Sequence, residues 1–224
     1  MKFKNMAICL AVASVISSAA MLSACGEPSD SGTIPVPDGA SEYVMEAECV
    51  DLDDVVGSGI SSSQSGIEMI YPDVGSNPDA SNWSGGYYVG YTYNPECVIT
   101  FEFESDSAAT ATIILRLGSE LGDLTLTPDA FSVKLNGTEI SYSSIYVQGS
   151  DSMAEMKFYD KAVTSTANIV AGKNTITLSV LPNELNASAQ GNKTGAPCID
   201  CVKIQTAAKL TWTDRDNVSK RGEI

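Results

Sequence analysis

The sequence predicts an all-β fold, a β-sandwich of the jelly-roll kind, over residues 42–206. Three observations predict it. Short runs rich in Val, Ile, Thr, Tyr and Phe recur with two-residue alternation. Clusters of Gly, Asn, Asp and Ser separate those runs. No segment keeps a helical period of apolar residues. A strand that buries one face needs a second sheet to cover it, so many short strands with regular turns fold into two packed sheets.

The elements follow in order. Tyr43–Val50 opens the folded region, and Tyr87–Tyr91 follows the Gly85-Gly86 pair. Over Cys97–Glu104 the alternation is clean: Cys97, Ile99, Phe101 and Phe103 share one face, and Thr100, Glu102 and Glu104 the other. Ser105-Asp106-Ser107 then turns the chain into Thr110–Leu117, and the two runs read as a hairpin. Phe131–Leu135 and Thr138–Tyr142 flank Asn136-Gly137, a dipeptide that accepts the positive φ angles of a tight hairpin turn. Ala162–Val170, Thr175–Leu181 and Ile199–Thr206 complete the set, with Gly172-Lys173-Asn174 turning between the first two. Residues 207–224 are polar and charged and, apart from Lys209–Thr213, do not alternate, so they read as a tail beyond the domain.

The segment ahead of the sandwich reads differently. Residues 1–24 carry Lys2 and Lys4, an apolar run from Met6 to Ile16 and then small residues, the pattern of an export signal. Leu22-Ser23-Ala24-Cys25 followed by Gly26 resembles the lipobox of bacterial lipoproteins. That resemblance implies an acylated Cys25 as the new N-terminus, holding the chain on a membrane of the cell envelope. Residues 25–41, rich in Gly, Pro, Ser and Asp after the cysteine, read as a flexible tether.

Composition excludes several functions. The 13 basic and 28 acidic residues give a net charge of −15, and loss of Lys2 and Lys4 with the signal leaves 11 against 28, or −17. Such a chain repels phosphate backbones, so nucleic acid is not a partner. There is no histidine. Ser-His-Asp, Cys-His and zinc-hydroxide chemistries lose their usual base or ligand, and with no nucleophile motif present the chain reads as non-catalytic.

Beyond Cys9 in the signal and Cys25, four cysteines remain: Cys49, Cys97, Cys198 and Cys201. An even count in an exported chain suggests disulfides, with three pairings open. Cys198 and Cys201 stand about 10 Å apart if their strand is extended, beyond bridging range.

Four motifs then carry a resemblance. Tyr43-Val44-Met45-Glu46-Ala47-Glu48 is similar to the acidic opening strand of carbohydrate-binding modules of families 6 and 35. Ser84-Gly85-Gly86-Tyr87-Tyr88-Val89-Gly90-Tyr91 resembles their S-G-G-x-Y-V-G-Y segment. Val170-Ala171-Gly172-Lys173-Asn174-Thr175-Ile176-Thr177-Leu178 resembles their A-G-x-N-T-I-x-L strand, and Gly195-Ala196-Pro197-Cys198-Ile199-Asp200 their closing G-x-P-N-I-D. The four occur in the family's order.

The resemblance implies a jelly roll whose first and last strands are adjacent, with a structural calcium between them held by Glu46, Glu48 and Asp200. It implies a polysaccharide or oligosaccharide ligand, bound by aromatic stacking and hydrogen bonds. The aromatic candidates are Trp83, Tyr87 and Tyr159. The closing motif departs from the family at Cys198, which replaces an asparagine, and at Cys201, which replaces an aromatic. A thiol is a poor partner for sugar hydroxyls, which turns attention to nearby polar residues such as Asn192. Adjacent first and last strands would also pair Cys49 with Cys201 and leave Cys97 with Cys198. A tethered module of this kind would serve glycan-degrading enzymes or transporters. The alternative is a structural or adhesive surface protein using the same sandwich for protein contacts.

Overall fold

A computed structural model describes residues 34–50, 68–70, 84, 88–90, 92, 98–119, 122–150, 155–181 and 196–212. Strand β1 spans Ser41–Glu46 and runs into a 3-10 turn, Ala47–Cys49. The remaining strands are β2 Glu68–Ile70, β3 Tyr88–Gly90, β4 Val98–Ser105, β5 Ala109–Gly118, β6 Leu124–Leu126, β7 Phe131–Leu135, β8 Thr138–Glu139, β9 Ile145–Val147, β10 Phe158–Ile169, β11 Gly172–Val180, β12 Cys198–Thr206 and β13 Leu210–Trp212. They form two main antiparallel sheets, one ordered β10-β5-β12-β3-β2 with β1 also on β12, the other β13-β4-β11-β7-β8; β6 and β9 pair apart from both.

The alternation read in the sequence decides which face goes inward. On β4, Ile99, Phe101 and Phe103 are buried while Glu102 and Glu104 are exposed. They meet Ile113, Leu115, Val202 and Ile204 of the other sheet, and Val133, Ile176 and Leu178 of their own, in one core. Burying each of these large side chains contributes about 1.5–3 kcal/mol before chain entropy is subtracted. The fold is the expected β-sandwich, with β1 antiparallel to β12 so that Glu46 lies opposite Cys201.

Three expectations about the elements are corrected. Val98–Ser105 and Ala109–Gly118 do not form a hairpin, because β4 pairs with β11 and β13 while β5 pairs with β10 and β12. The Ser105-Asp106-Ser107 turn is instead an arch between sheets. Strand β5 is buried on both faces, Ile113 at 0 % and Ile114 at 1 % exposure, so it takes a central place rather than the flank of a meander. Second, the region expected to be a tail beyond residue 206 continues the sandwich: Leu210–Trp212 pairs with β4, and the Asp106 amide donates to the Lys209 carbonyl at 3.0 Å. Third, the expected tether gives way at its end to structure, since Ser41 belongs to β1 and the Ile34 carbonyl accepts a bond from Gln205 at 3.2 Å.

The Asn136-Gly137 turn is formed as expected, with φ of 52° and 77°. Its asparagine reaches a second turn: Asn136 donates to Asn174 Oδ1 at 2.9 Å and accepts from the Thr175 amide at 2.8 Å. Asn174, buried, donates to the Val170 and Gly172 carbonyls and accepts from the Val170 amide, all within 2.9 Å.

Candidate carboxylate site and its surroundings

Glu46 ends β1, and Asp200 lies within β12, the neighbouring strand. Ser84 comes between them. Its backbone N–H donates to both Asp200 oxygens at 3.0 and 3.1 Å, and its hydroxyl lies 2.6 Å from Glu46 Oε2 and 3.2 Å from Asp200 Oδ2. One hydroxyl carries one proton, so it cannot fully satisfy two carboxylates at once. The opening strand, the S-G-G segment and the closing strand therefore meet at one point.

A second row of charges extends from Asp200 across the six-stranded sheet. Arg116 Nε bonds Asp200 Oδ2 at 2.9 Å and its terminal nitrogen bonds Asp160 Oδ1 at 2.9 Å, while Lys203 Nζ bonds Asp160 Oδ2 at 2.7 Å. Asp200 is fully buried. Burial pushes its carboxyl up to about 7; the Ser84 N–H and Arg116 oppose that rise, and Glu46 adds to it. Asp160 is held below the usual carboxylate range: burial works against this, but the Lys203 and Arg116 hydrogen bonds prevail.

The donor set at the Glu46–Asp200 pair consists of hard oxygens. Three acids (Glu46, Asp160, Asp200) face two bases (Arg116, Lys203) in this network, so acids are in excess. Carboxylate oxygens are the ligand type calcium takes, although Arg116 already bonds Asp200 here. Among the described residues, no group of three or more Asp, Glu, Cys or His side chains is arranged as a metal-binding set. Glu46 and Glu48 were expected on one strand face. They are not, because the strand stops at Glu46 and Glu48 sits, fully buried, in the 3-10 turn.

The same turn removes the expected Cys49–Cys201 bridge. It takes Cys49 off the β-ladder with β12, and Cys201 is a buried thiol 4.0 Å from Asp200 Oδ2. Burial, and then the Asp200 carboxylate, push that thiol well above its ordinary range, so it stays protonated. Cys97, and with it the expected Cys97–Cys198 pairing, lies outside the described residues. Cys198 is buried with Tyr88, Met156 and Phe158 in a satellite apolar cluster, where the Tyr88 and Phe158 rings lie 5.1 Å apart. Its side chain packs within that cluster.

Of the aromatic candidates, Tyr159 is corrected. It lies on β10 at 6 % exposure within the main core, its ring under Lys161 Nζ at 5.2 Å, so no face is open to a sugar. Trp83, Tyr87, Asn192 and Cys25 lie outside the described residues. The sequence reading missed Ser84, Arg116, Asp160 and Lys203; Ser84 was legible as the first residue of the S-G-G segment, whereas the charged trio depends on strand register alone.

No protein-family model and no curated protein matches this chain. Solved structures to which it is similar include a family 35 carbohydrate-binding module from Clostridium thermocellum (17 % identity, TM-score 0.43, covering 74 % of this chain and 98 % of that one). Another is the CBM35 from Cellvibrio japonicus Abf62 (10 % identity, TM-score 0.43, 77 % and 97 %). A third is the Podospora anserina GH26-CBM35 β-(1,4)-mannanase (19 % identity, TM-score 0.44, 75 % of this chain), of which the chain spans only 28 %. The likeness is one of fold.

Proposed function

We propose that this chain is a non-catalytic carbohydrate-binding module, lipid-anchored through Cys25 at the cell envelope, that captures polysaccharide for glycan-degrading enzymes or transporters. The observation that carries the reading is the convergence of Glu46, Ser84 and Asp200. They come from three segments 38 and 116 residues apart, each singled out by its own motif, and they meet at hydrogen-bond distances.

The chemistry is recognition, and this chain's residues divide it. The amide that Asp200 holds is the peptide link between Trp83 and Ser84, so the buried carboxylate fixes the root of the segment bearing Trp83 and Tyr87. Those rings stack on the apolar face of a pyranose, and Asn192 takes hydroxyls. Glu46 and Asp200 would hold calcium. When bound, calcium would supply charge neutralisation to these carboxylates. Lipid anchoring concentrates many copies on one surface, where avidity offsets weak single-site affinity.

A glycan array probed with the full chain, with calcium and then with chelator, tests this reading. It predicts retention on one polysaccharide class that falls at least tenfold on chelation. Retention on no glycan by a folded chain, or capture of a protein partner that no sugar competes away, would overturn it.

A further inference from the structure

A second feature lies between β1 of one sheet and β13 of the other, residues of both of which line it. A groove of about 620 Å³ separates them, the size of a small-molecule site. Met45 and Phe103, both buried core residues, form its floor. Tyr43 from one sheet and Trp212 from the other stand at its mouth, packed against the core yet partly exposed. Glu42 and Glu46 border it. The Trp212 indole N–H is buried and finds no acceptor among the described residues.

We infer that this groove is a carbohydrate-binding site for a neutral pyranose chain; the inference rests on the carbohydrate-binding reading above. Two aromatic rings on an apolar floor suit the C–H face of a pyranose. Carboxylates accept hydrogen bonds from sugar hydroxyls and repel uronic acids, which sets the class as neutral. Glu46 both borders the groove and bonds Ser84, so the groove adjoins the carboxylate site.

The chain has two tryptophans, so in a Trp83→Phe variant the emission comes from Trp212 alone. That variant of the full chain is titrated with β-1,4-linked hexaoses of glucose, mannose and xylose, and with oligogalacturonate. The expected result is a saturable emission change with at least one neutral hexaose, none with oligogalacturonate, and affinity at least tenfold weaker when Tyr43→Ala is added. An unchanged emission with a hexaose that calorimetry shows the unaltered chain to bind overturns the groove and leaves the carbohydrate reading standing. Equal response to oligogalacturonate overturns the neutral class. Failure of the unaltered chain to bind any sugar overturns both.

Discussion

At the residue scale the molecule concentrates its charge where three strands touch. Asp160 receives both Arg116 and Lys203, and Arg116 passes the connection on to Asp200. The sign of the Asp160 shift fixes a pH prediction. A carboxyl held below its unfolded value binds protons less readily when folded, so its contribution is complete above about pH 4 and drains as pH falls through the folded value. Asp160→Asn is therefore expected to cost about 2 kcal/mol at pH 7, taking from Lys203 and Arg116 the carboxylate they share while Arg116 keeps Asp200, with the deficit closing toward pH 3. Urea melts of both proteins across that range check it; a deficit constant with pH would contradict it. None of this network was legible beforehand. No sequence motif marks Arg116, Asp160 or Lys203, and only the registers Arg116↔Asp160 and Cys201↔Arg116 bring them into line.

At the scale of elements, two turns are fastened to each other. Asn174 makes four hydrogen bonds while almost fully buried, one of them to the Asn136 of the opposite turn. Asn174→Ala strands the Val170 amide and removes the link, at a cost of about 2–4 kcal/mol. A calorimetric scan should show the midpoint lowered by about 5–15 °C, while a shift under about 2 °C would mean the turns hold without it. The strands themselves were legible because period-two alternation is local: Ile99, Phe101 and Phe103 announce their face without knowing their partner. Pairing is not local. The Ser105-Asp106-Ser107 turn looks alike whether it closes a hairpin or crosses between sheets, and the choice falls to β5, whose two buried faces demand neighbours on both sides. Likewise the alternation over Lys209–Thr213 was visible but read as part of the tail, because three strand residues, Leu210 to Trp212, are too few to name a partner strand.

At the scale of the whole molecule, the sandwich brings its first strand onto the closing strand β12, and the consequences gather there. The carboxylate pair, the Ser84 contact, the charged row and the edge groove all lie on or beside β1 and β12. The acidic opening motif and the closing Asp200 were legible as partners through the resemblance, since each stands in a motif of its own. Glu48 and Cys49 were misplaced for one physical reason, the end of the strand at Glu46, which alternation could not foresee in a Glu-Ala-Glu run. Tyr159 was misjudged for another: the expected strand began at Ala162, which left Tyr159 on a loop, whereas β10 begins at Phe158 and turns it inward. What unites these features is a histidine-free scaffold that holds distant segments in place, and the proposed function asks of it recognition alone.

Affinity electrophoresis through gels containing neutral polysaccharides tests the carbohydrate-binding proposal most directly, run on the full chain and on Trp83→Ala with circular dichroism confirming that both are folded. Retardation of the unaltered chain in at least one gel is expected, with a loss of retardation by tenfold or more in the variant. Equal mobility of the folded unaltered chain in every polysaccharide gel and in the blank would contradict the proposal.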